Sequence, residues 1–357
     1  MDIFSVFLVI LFITALVDLI VGVSNDAVNF LNSAIGSRVA SVRVILTVAS
    51  VGILLGSVFS NGMMEVARNG LFNPEYFTFR EVMYIFLAVM ITDIILLDIY
   101  NNLGLPTSTT VSLVFELLGA AFIVGILTSL DKGIHWFEIP FHNILNFSSA
   151  ITIVSGIFLS IFLAFIVGSA VQYLSRLVFT FSLNHSLKKY GAVFSGLAIT
   201  TIFYFLLIKG AKGSAFVSDT QAEWVMNNSW AINIVAFLFW SIAIQLLLWF
   251  TTVNPLRIVV LLGTFALAMA FASNDLVNFI GVAIGGLVSF QSWQQSGISA
   301  DVFNMGVLNQ ELQTPAWILL VAGVVMVLTL WFSAKSRKVT ETEVSLGRQD
   351  DGDERFK

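Results

Sequence analysis

The chain has 357 residues, of which 57% are hydrophobic and 11% are charged, and its mean hydropathy is +0.92. Soluble domains carry about 25% charged residues, so this composition excludes a soluble globular protein and predicts a polytopic membrane protein. The formal net charge of −5 argues against a nucleic-acid partner, and the absence of cysteine excludes disulfide bonds.

Long apolar segments recur along the whole chain and predict an all-α membrane fold. A helix needs about 20 apolar residues to cross the hydrocarbon core, and its backbone groups must hydrogen-bond within the segment. The nine predicted spans are 4–22, 39–59, 81–101, 111–130, 150–175, 191–209, 230–252, 256–272 and 315–333.

Basic residues should concentrate in cytoplasmic loops, which favours an N-terminus outside the membrane. In that orientation nine basic residues lie inside: Arg38, Arg43, Arg176, Lys188, Lys189, Arg257, Lys335, Arg337 and Lys338. Five lie outside: Arg68, Arg80, Lys132, Lys209 and Lys212. We therefore expect a plasma (inner) membrane protein with a flexible, polar cytoplasmic tail at 335–357, after the basic "KSRK".

A polar motif occurs twice in this apolar chain. "SNDAVNFLNSAIG" at 24–36 and "SNDLVNFIGVAIG" at 273–285 share nine of thirteen residues at an offset of 249. In the predicted topology the two copies lie in opposite orientations, which is typical of the inverted repeats of secondary transporters.

Each copy of the motif predicts a short helix that starts inside the membrane and carries amides on one face. Helical spacing places Asn25, Asn29 and Asn32 on one stripe, and Asn274 and Asn278 repeat its first two positions. Amides can also hold membrane helices together without any transport role.

Serine and aspartate complete each copy. Ser24 and Ser273 suit the N-cap of these predicted helices. Asp26 and Asp275 would be costly at membrane depth unless they were paired, which favours function over simple helix association.

A second polar motif, "NNLGLPTSTT" at 101–110, lies between two predicted spans. Pro106 suits the first turn of a new helix, which would place Ser108, Thr109 and Thr110 at its positive N-terminus. Free amides and hydroxyls at such a terminus bind oxyanions such as phosphate or sulfate. Because two aspartates would repel an anion there, the residues predict coupled cation binding by Asp26 and Asp275.

These motifs resemble those of the inorganic phosphate transporter (PiT) family of cation–phosphate symporters. "GVSNDAVNFLNSAIGS", "FASNDLVNFIGVAIGG" and "LPTSTT" match its repeated signature and its P-x-S-T-T motif. The resemblance implies a fold with inverted repeats and re-entrant or broken half-helices. It also implies that phosphate and a cation (Na⁺ or H⁺) bind at these positions: Asn25, Asp26, Asn29, Ser108, Thr109, Thr110, Asn274, Asp275 and Asn278.

The chain departs from the family pattern at several positions. Val111 replaces a histidine that usually follows P-x-S-T-T, and Ala49 stands where the family often has a glutamate. Glu116 is a candidate for the missing carboxylate, with helix packing as an equal alternative. Three further acids are candidates for ion coupling or for paired structural use: Asp18, Asp93 and Asp98.

The sequence predicts a first repeat with connecting spans at 1–252 and the start of a second repeat at 253–334. A second P-x-S-T-T would fall at about 355, two residues before the chain ends, and it is absent. We therefore expect an incomplete transporter that works poorly by itself.

The residues and the resemblance predict import of inorganic phosphate coupled to Na⁺ or H⁺, with Na⁺ bound at Asp26 and Asp275 in the first case. A permease for sulfate or another tetrahedral oxyanion remains an alternative, since the same donors suit those anions. An intramembrane aspartyl protease is a weaker alternative, because the motif contexts are Asn-Asp. No other cofactor is predicted; the expected partners are phosphate, the coupling ion, membrane lipids and, as an open question, further copies of the chain.

Overall fold

The structure is a computed structural model that describes residues 2–58, 70–179, 183–211, 218–309 and 314–347. Within these ranges the chain folds into helices, with two isolated β-bridges and no strands. The helices are α1 (Ile3–Asp26), α2 (Val28–Gly36), α3 (Val42–Val58), α4 (Phe79–Leu103), α5 (Thr109–Asp131), α6 (Phe141–Ile144), α7 (Phe147–Val178), α8 (Leu183–Ala211), α9 (Asp219–Asn227), α10 (Ser229–Phe250), α11 (Pro255–Ser296), α12 (Ala316–Phe332) and α13 (Ala334–Leu346).

All nine predicted spans coincide with helices. In the described ranges seven helical stretches are long and apolar enough to cross a membrane, and the pair α12–α13, bent by 66°, is an eighth candidate. The helix α3 is apolar but has 17 residues, slightly fewer than the span predicted at 39–59. The chain is thus a multi-pass integral membrane protein with an all-α fold.

Neither Ser24 nor Ser273 begins a new helix, which corrects the predicted N-caps at these two serines; in the first motif the new helix, α2, begins at Val28 instead. The helix α1 continues through Ser24 and is interrupted at Ala27, whereas α11 runs without a break for 42 residues, about 63 Å. Both serine hydroxyls bond back to their own helix, Ser24 to the Ile20 carbonyl and Ser273 to the Ala270 carbonyl. This local bonding is compatible with a continuous helix, and neither serine satisfies the amides of a new one.

The hairpin between α4 and α5 places the "PTSTT" residues. Gly104 ends α4 in the left-handed conformation (φ 74°), which glycine adopts without steric cost. Ser108 is the N-cap of α5, and its hydroxyl accepts a hydrogen bond from the Val111 amide (3.3 Å). Pro106 therefore lies before the N-cap, which corrects its predicted place in the first helical turn.

The signature helices and the spans that follow them pack in a reciprocal way. The helix α3, which follows the first motif, packs along α11, and α12, which follows the second, packs along α1. Gly52 and Gly56 allow α3 to approach closely: an added Cβ at Gly52 would lie 2.5 Å from the Phe265 carbonyl oxygen. Because the helix that follows each motif packs on the helix that carries the other motif, both motifs lie within one bundle.

The polar segment after α12 is ordered where the structure describes it, which corrects the predicted flexible tail. The helix α13 packs against α1, α2 and α4 and buries Ser336, Val339 and Thr340. These three positions, spaced by three and one residues, lie on one face of α13. Residues 348–357 of the predicted tail lie outside the described ranges.

Candidate functional site

The two repeated motifs meet at the first turn of α5. The Thr109 hydroxyl donates to Asp26 Oδ2 at 2.8 Å, and the Thr110 hydroxyl lies 3.4 Å from Asp275 Oδ1. The Asn278 amide donates to the Thr110 hydroxyl (3.1 Å) and to Asp275 (3.3 Å). Neighbouring residues of one helix terminus therefore each contact the carboxylate of a different repeat.

Asn25 is fully buried and holds the hairpin that carries this terminus. Its Nδ2 donates to Asn101 Oδ1 (2.9 Å) and to the Leu105 carbonyl (3.0 Å), and its Oδ1 accepts from the Thr107 amide (2.7 Å). Asn101, also buried, donates in turn to the Val21 carbonyl (2.8 Å). Because both of its N–H groups already have acceptors, Asn25 acts here by positioning the α5 terminus.

The two copies of the motif differ in how deeply they lie. Asn25 and Asp26 are buried, whereas in the second copy Asn274 is exposed and Asp275 is half-buried. Asn29 is exposed, whereas its counterpart Asn278 is half-buried and bonded. The Asn-Asp pair is therefore enclosed in the first copy and more accessible in the second.

The hydroxyls of the "PTSTT" motif have three different surroundings. Ser108 is exposed and caps the helix, Thr109 is 4% exposed, and Thr110 is half-buried between the two. The first-turn amides of a helix lack intrahelical acceptors and lie at its positive end. The N-terminus of α5 therefore carries hydroxyl and amide donors between the exposed side of the site and the two carboxylates.

Negative charge dominates the centre. Asp26 and Asp275 contact the successive residues Thr109 and Thr110, so their charges lie near one another. Two unit charges 4 Å apart interact by about 4 kcal/mol at an effective dielectric constant of 20. A cation bound between these carboxylates would relieve that repulsion, with threonine hydroxyls as additional oxygen ligands.

Basic groups lie near the rim of the centre, on α13. Lys335 forms an ion pair with Asp98, and Lys338 donates to the Asn102 carbonyl. Asp98 also accepts from the Asn102 amide (2.9 Å). Through these contacts Asp98 links α13 to α4. This is the paired structural role that was one of the two alternatives for Asp98.

Known proteins resemble this chain over most of its length. A model of the phosphate transporter family matches residues 22–342. The chain belongs to the phosphate transporter family. Membership of a transporter family excludes the protease alternative, and the protein is not an enzyme.

Two relatives illustrate the similarity of this family member to known sequences. Proteins named "Putative phosphate permease" in Pyrococcus abyssi and Pyrococcus furiosus are each 24% identical, over 84% of this chain and 68% and 67% of their own lengths. A solved structure titled "The sodium-dependent phosphate transporter" superposes with a TM-score of 0.70 at 20% identity. It covers 95% of this chain and 78% of its own, so the two share a fold.

A second polar centre of the chain contains three acids, here called the acid cluster: Asp18, Asp93 and Glu116. The Ser112 hydroxyl lies 2.7 Å from both Asp93 Oδ1 and Glu116 Oε1. Asp18 and Asp93 are in hydrogen-bonding contact through their carboxyl groups. In the described part of the chain no three His, Cys, Asp or Glu side chains have the arrangement of a metal site.

Sequence reasoning did not single out Asn101, Ser112 or Ser333. Asn101 and Ser112 organise the two polar centres, and the Ser333 hydroxyl lies 2.8 Å from that of Ser24. Asn101 lies inside the quoted "NNLGLPTSTT" motif, so its position was a usable signal. Ser333 carried no local signal, because its importance depends on α12 ending beside α1.

Proposed function

We propose that this chain transports inorganic phosphate across the membrane together with a cation. The observation that supports this best is the meeting of both Asp-containing motifs at one helix N-terminus. Hydroxyls and amides suited to an oxyanion lie beside carboxylates suited to a cation.

The proposed phosphate ligands lie around the first turn of α5 and the amides of the repeated motifs. They are Ser108, Thr109, Thr110, Asn29, Asn274 and Asn278, with Asn25 positioning the hairpin. The more accessible Asn274–Asp275 pair of the second copy is the proposed entrance for the anion.

The proposed coupling follows from charge. The N-terminus of α5 attracts phosphate. Without a cation, the neighbouring carboxylates of Asp26 and Asp275 would repel it. A cation at these carboxylates offsets the repulsion, so each ligand binds more tightly when the other is present. Na⁺ and H⁺ both satisfy this requirement.

We also propose a plasma (inner) membrane location, with the N-terminus outside and α13 on the cytoplasmic side. The basic residues of α13 support this orientation through the positive-inside bias. Sulfate is the second candidate substrate, because hydroxyl and amide donors accept either tetrahedral oxyanion.

The test is uptake of radiolabelled phosphate by the purified full chain in proteoliposomes, with an inward Na⁺ gradient, an inward H⁺ gradient or neither. We expect uptake above that of empty liposomes only when a cation gradient is imposed, and excess unlabelled sulfate should compete weakly. Equal uptake with and without both gradients would contradict the coupling. Complete competition by sulfate would favour the broader oxyanion permease.

A further inference from the structure

We propose that the acid cluster (Asp18, Asp93 and Glu116) is a proton-binding site, separate from the carboxylates of the repeated motifs. Its use as the coupling site for H⁺ rests on the phosphate transport proposed above. Asp18 and Asp93 are 1% and 3% exposed, and Glu116 is half-buried. Three acids from three different helices therefore meet in the protein interior.

The single hydroxyl in the cluster cannot satisfy its neighbours if all three acids are ionised. Ser112 has one hydroxyl hydrogen but lies 2.7 Å from an oxygen of Asp93 and an oxygen of Glu116. An ionised carboxylate only accepts hydrogen bonds. One of these two short contacts therefore requires a protonated carboxyl that donates to the serine oxygen.

The remaining oxygens lead to the same conclusion. Among the described residues no donor reaches Asp18 Oδ1 or Glu116 Oε2, although both atoms are buried. Carboxyl groups of Asp18 and Asp93, and of Asp93 and Glu116, are in contact. Touching carboxyl groups in a buried site stay together when they share a proton, because two ionised groups would repel strongly.

Among the described residues, no basic group acts on the acid cluster. On α1 the next acid is Asp26, and on α11 Asp275 faces Asp26, so both add negative charge. The segment Ala316–Phe332, which also packs on α1, contains no titratable residue. On α13, Lys335 is paired with Asp98.

Of the acid cluster, Glu116 lines an open groove. A groove of about 760 Å³ runs between α4 and α5 and is lined by Glu116 and Ser112, and further along by Ser108 and Thr107. The same groove thus passes from the acid cluster to the exposed edge of the "PTSTT" motif. A proton bound at the cluster would neutralise charge close to the proposed anion site.

The first experiment detects the proton directly by infrared spectroscopy of the purified full chain at neutral pH in H₂O and D₂O. We expect a protonated-carboxyl C=O band that shifts in D₂O and that is lost or halved in Glu116→Gln and in Asp93→Asn. Asp131→Asn, an exposed acid at the end of the same helix as Glu116, should leave the band unchanged.

Absence of the band in the unmodified protein would overturn the proposal, and so would a band of full amplitude in both variants. The unmodified protein alone provides the first of these outcomes, so the test stands even if a variant fails to fold. Persistence of the band in Asp26→Asn would support its assignment to the acid cluster.

The second experiment measures proton movement in proteoliposomes that contain a pH-sensitive dye, started by adding inorganic phosphate. We expect phosphate-driven proton entry that is at least tenfold lower in Glu116→Gln than in Asp131→Asn. Phosphate uptake without proton entry would overturn the coupling role and leave the proposed function standing. Absence of any phosphate uptake would overturn the proposed function, while the infrared band would still decide whether the cluster binds a proton.

Discussion

At the residue scale, the hydroxyl of Thr109 donates a hydrogen bond to the buried carboxylate of Asp26. We expect Thr109→Val to weaken phosphate uptake, since it removes the donor to Asp26 and one ligand of the proposed anion site. A hydrogen bond to a charged group contributes about 1.5–3 kcal/mol, which corresponds to roughly a ten- to hundredfold loss. The loss of apparent phosphate affinity is measured from the uptake of radiolabelled phosphate as a function of its concentration.

The matched control is Thr128→Val on the same helix, where the hydroxyl donates to Glu81 Oε1 at 2.7 Å, far along the chain from the motif. Thr128→Val should destabilise the protein about as much as Thr109→Val does, and it should leave the apparent phosphate affinity unchanged. Equal affinity losses in both variants would mean that Thr109 has a structural role alone.

Carboxylate charge is the second residue-scale feature. We expect Asp26→Asn and Asp275→Asn each to abolish cation-driven uptake, because an amide of the same shape cannot neutralise a bound cation. Asp301→Asn removes an exposed acid that pairs with Arg80 and should retain normal uptake. Gradient-dependent transport at the unmodified rate in either motif variant would rule out the coupling role of that aspartate.

Close contact between α3 and α11 is a feature of the element scale. A methyl group added at Gly56 would overlap the backbone oxygen of Met269, and backbone cannot move aside as a flexible side chain can. We expect Gly56→Ala to destabilise the protein by about 1–3 kcal/mol, which is the usual cost of overpacking. Thermal unfolding in detergent should show a lower midpoint.

Gly119→Ala is the control, because no described atom lies within 4 Å of a Cβ added there. Alanine has the higher helix propensity, by about 1 kcal/mol, so this variant should be neutral or slightly more stable. A midpoint for Gly56→Ala at or above that of Gly119→Ala would contradict the close packing of α3 on α11.

Docking of α13 is a second property of the element scale. The chain has no cysteine, so a single introduced thiol can be labelled without background. We expect Val339→Cys, at a buried position, to react much more slowly with a thiol reagent than Glu341→Cys, two residues along at an exposed position. Equal labelling rates would indicate that α13 does not dock.

Orientation in the membrane belongs to the scale of the whole molecule. Phe137 lies in the α5–α6 connection and is 97% exposed, on the side opposite to α13 in the predicted topology. We expect a membrane-impermeant thiol reagent to label Phe137→Cys in intact cells, and Glu341→Cys only after the cells are made permeable. The reverse pattern would place the N-terminus inside.

Several features of this protein are determined by the sequence alone. Each of the nine apolar runs coincides with a helix in the described ranges, seven of them long enough to cross a membrane and an eighth if the bent pair is counted, because hydrogen-bonding in lipid leaves the backbone few alternatives. The repeated "SND" motif and "PTSTT" are rare polar groups in an apolar chain, so they marked the residues that meet in the bundle.

Only the tertiary structure decided what each of these residues contacts. The N-cap predictions for Ser24 and Ser273 failed because a serine bonds equally well to its own helix. The predicted flexible tail failed because the stability of α13 comes from surfaces on α1, α2 and α4, which are distant in sequence. The acid cluster likewise appears as a unit only after three helices pack together, since side-chain partners separated by tens of residues are set by packing rather than by local pattern.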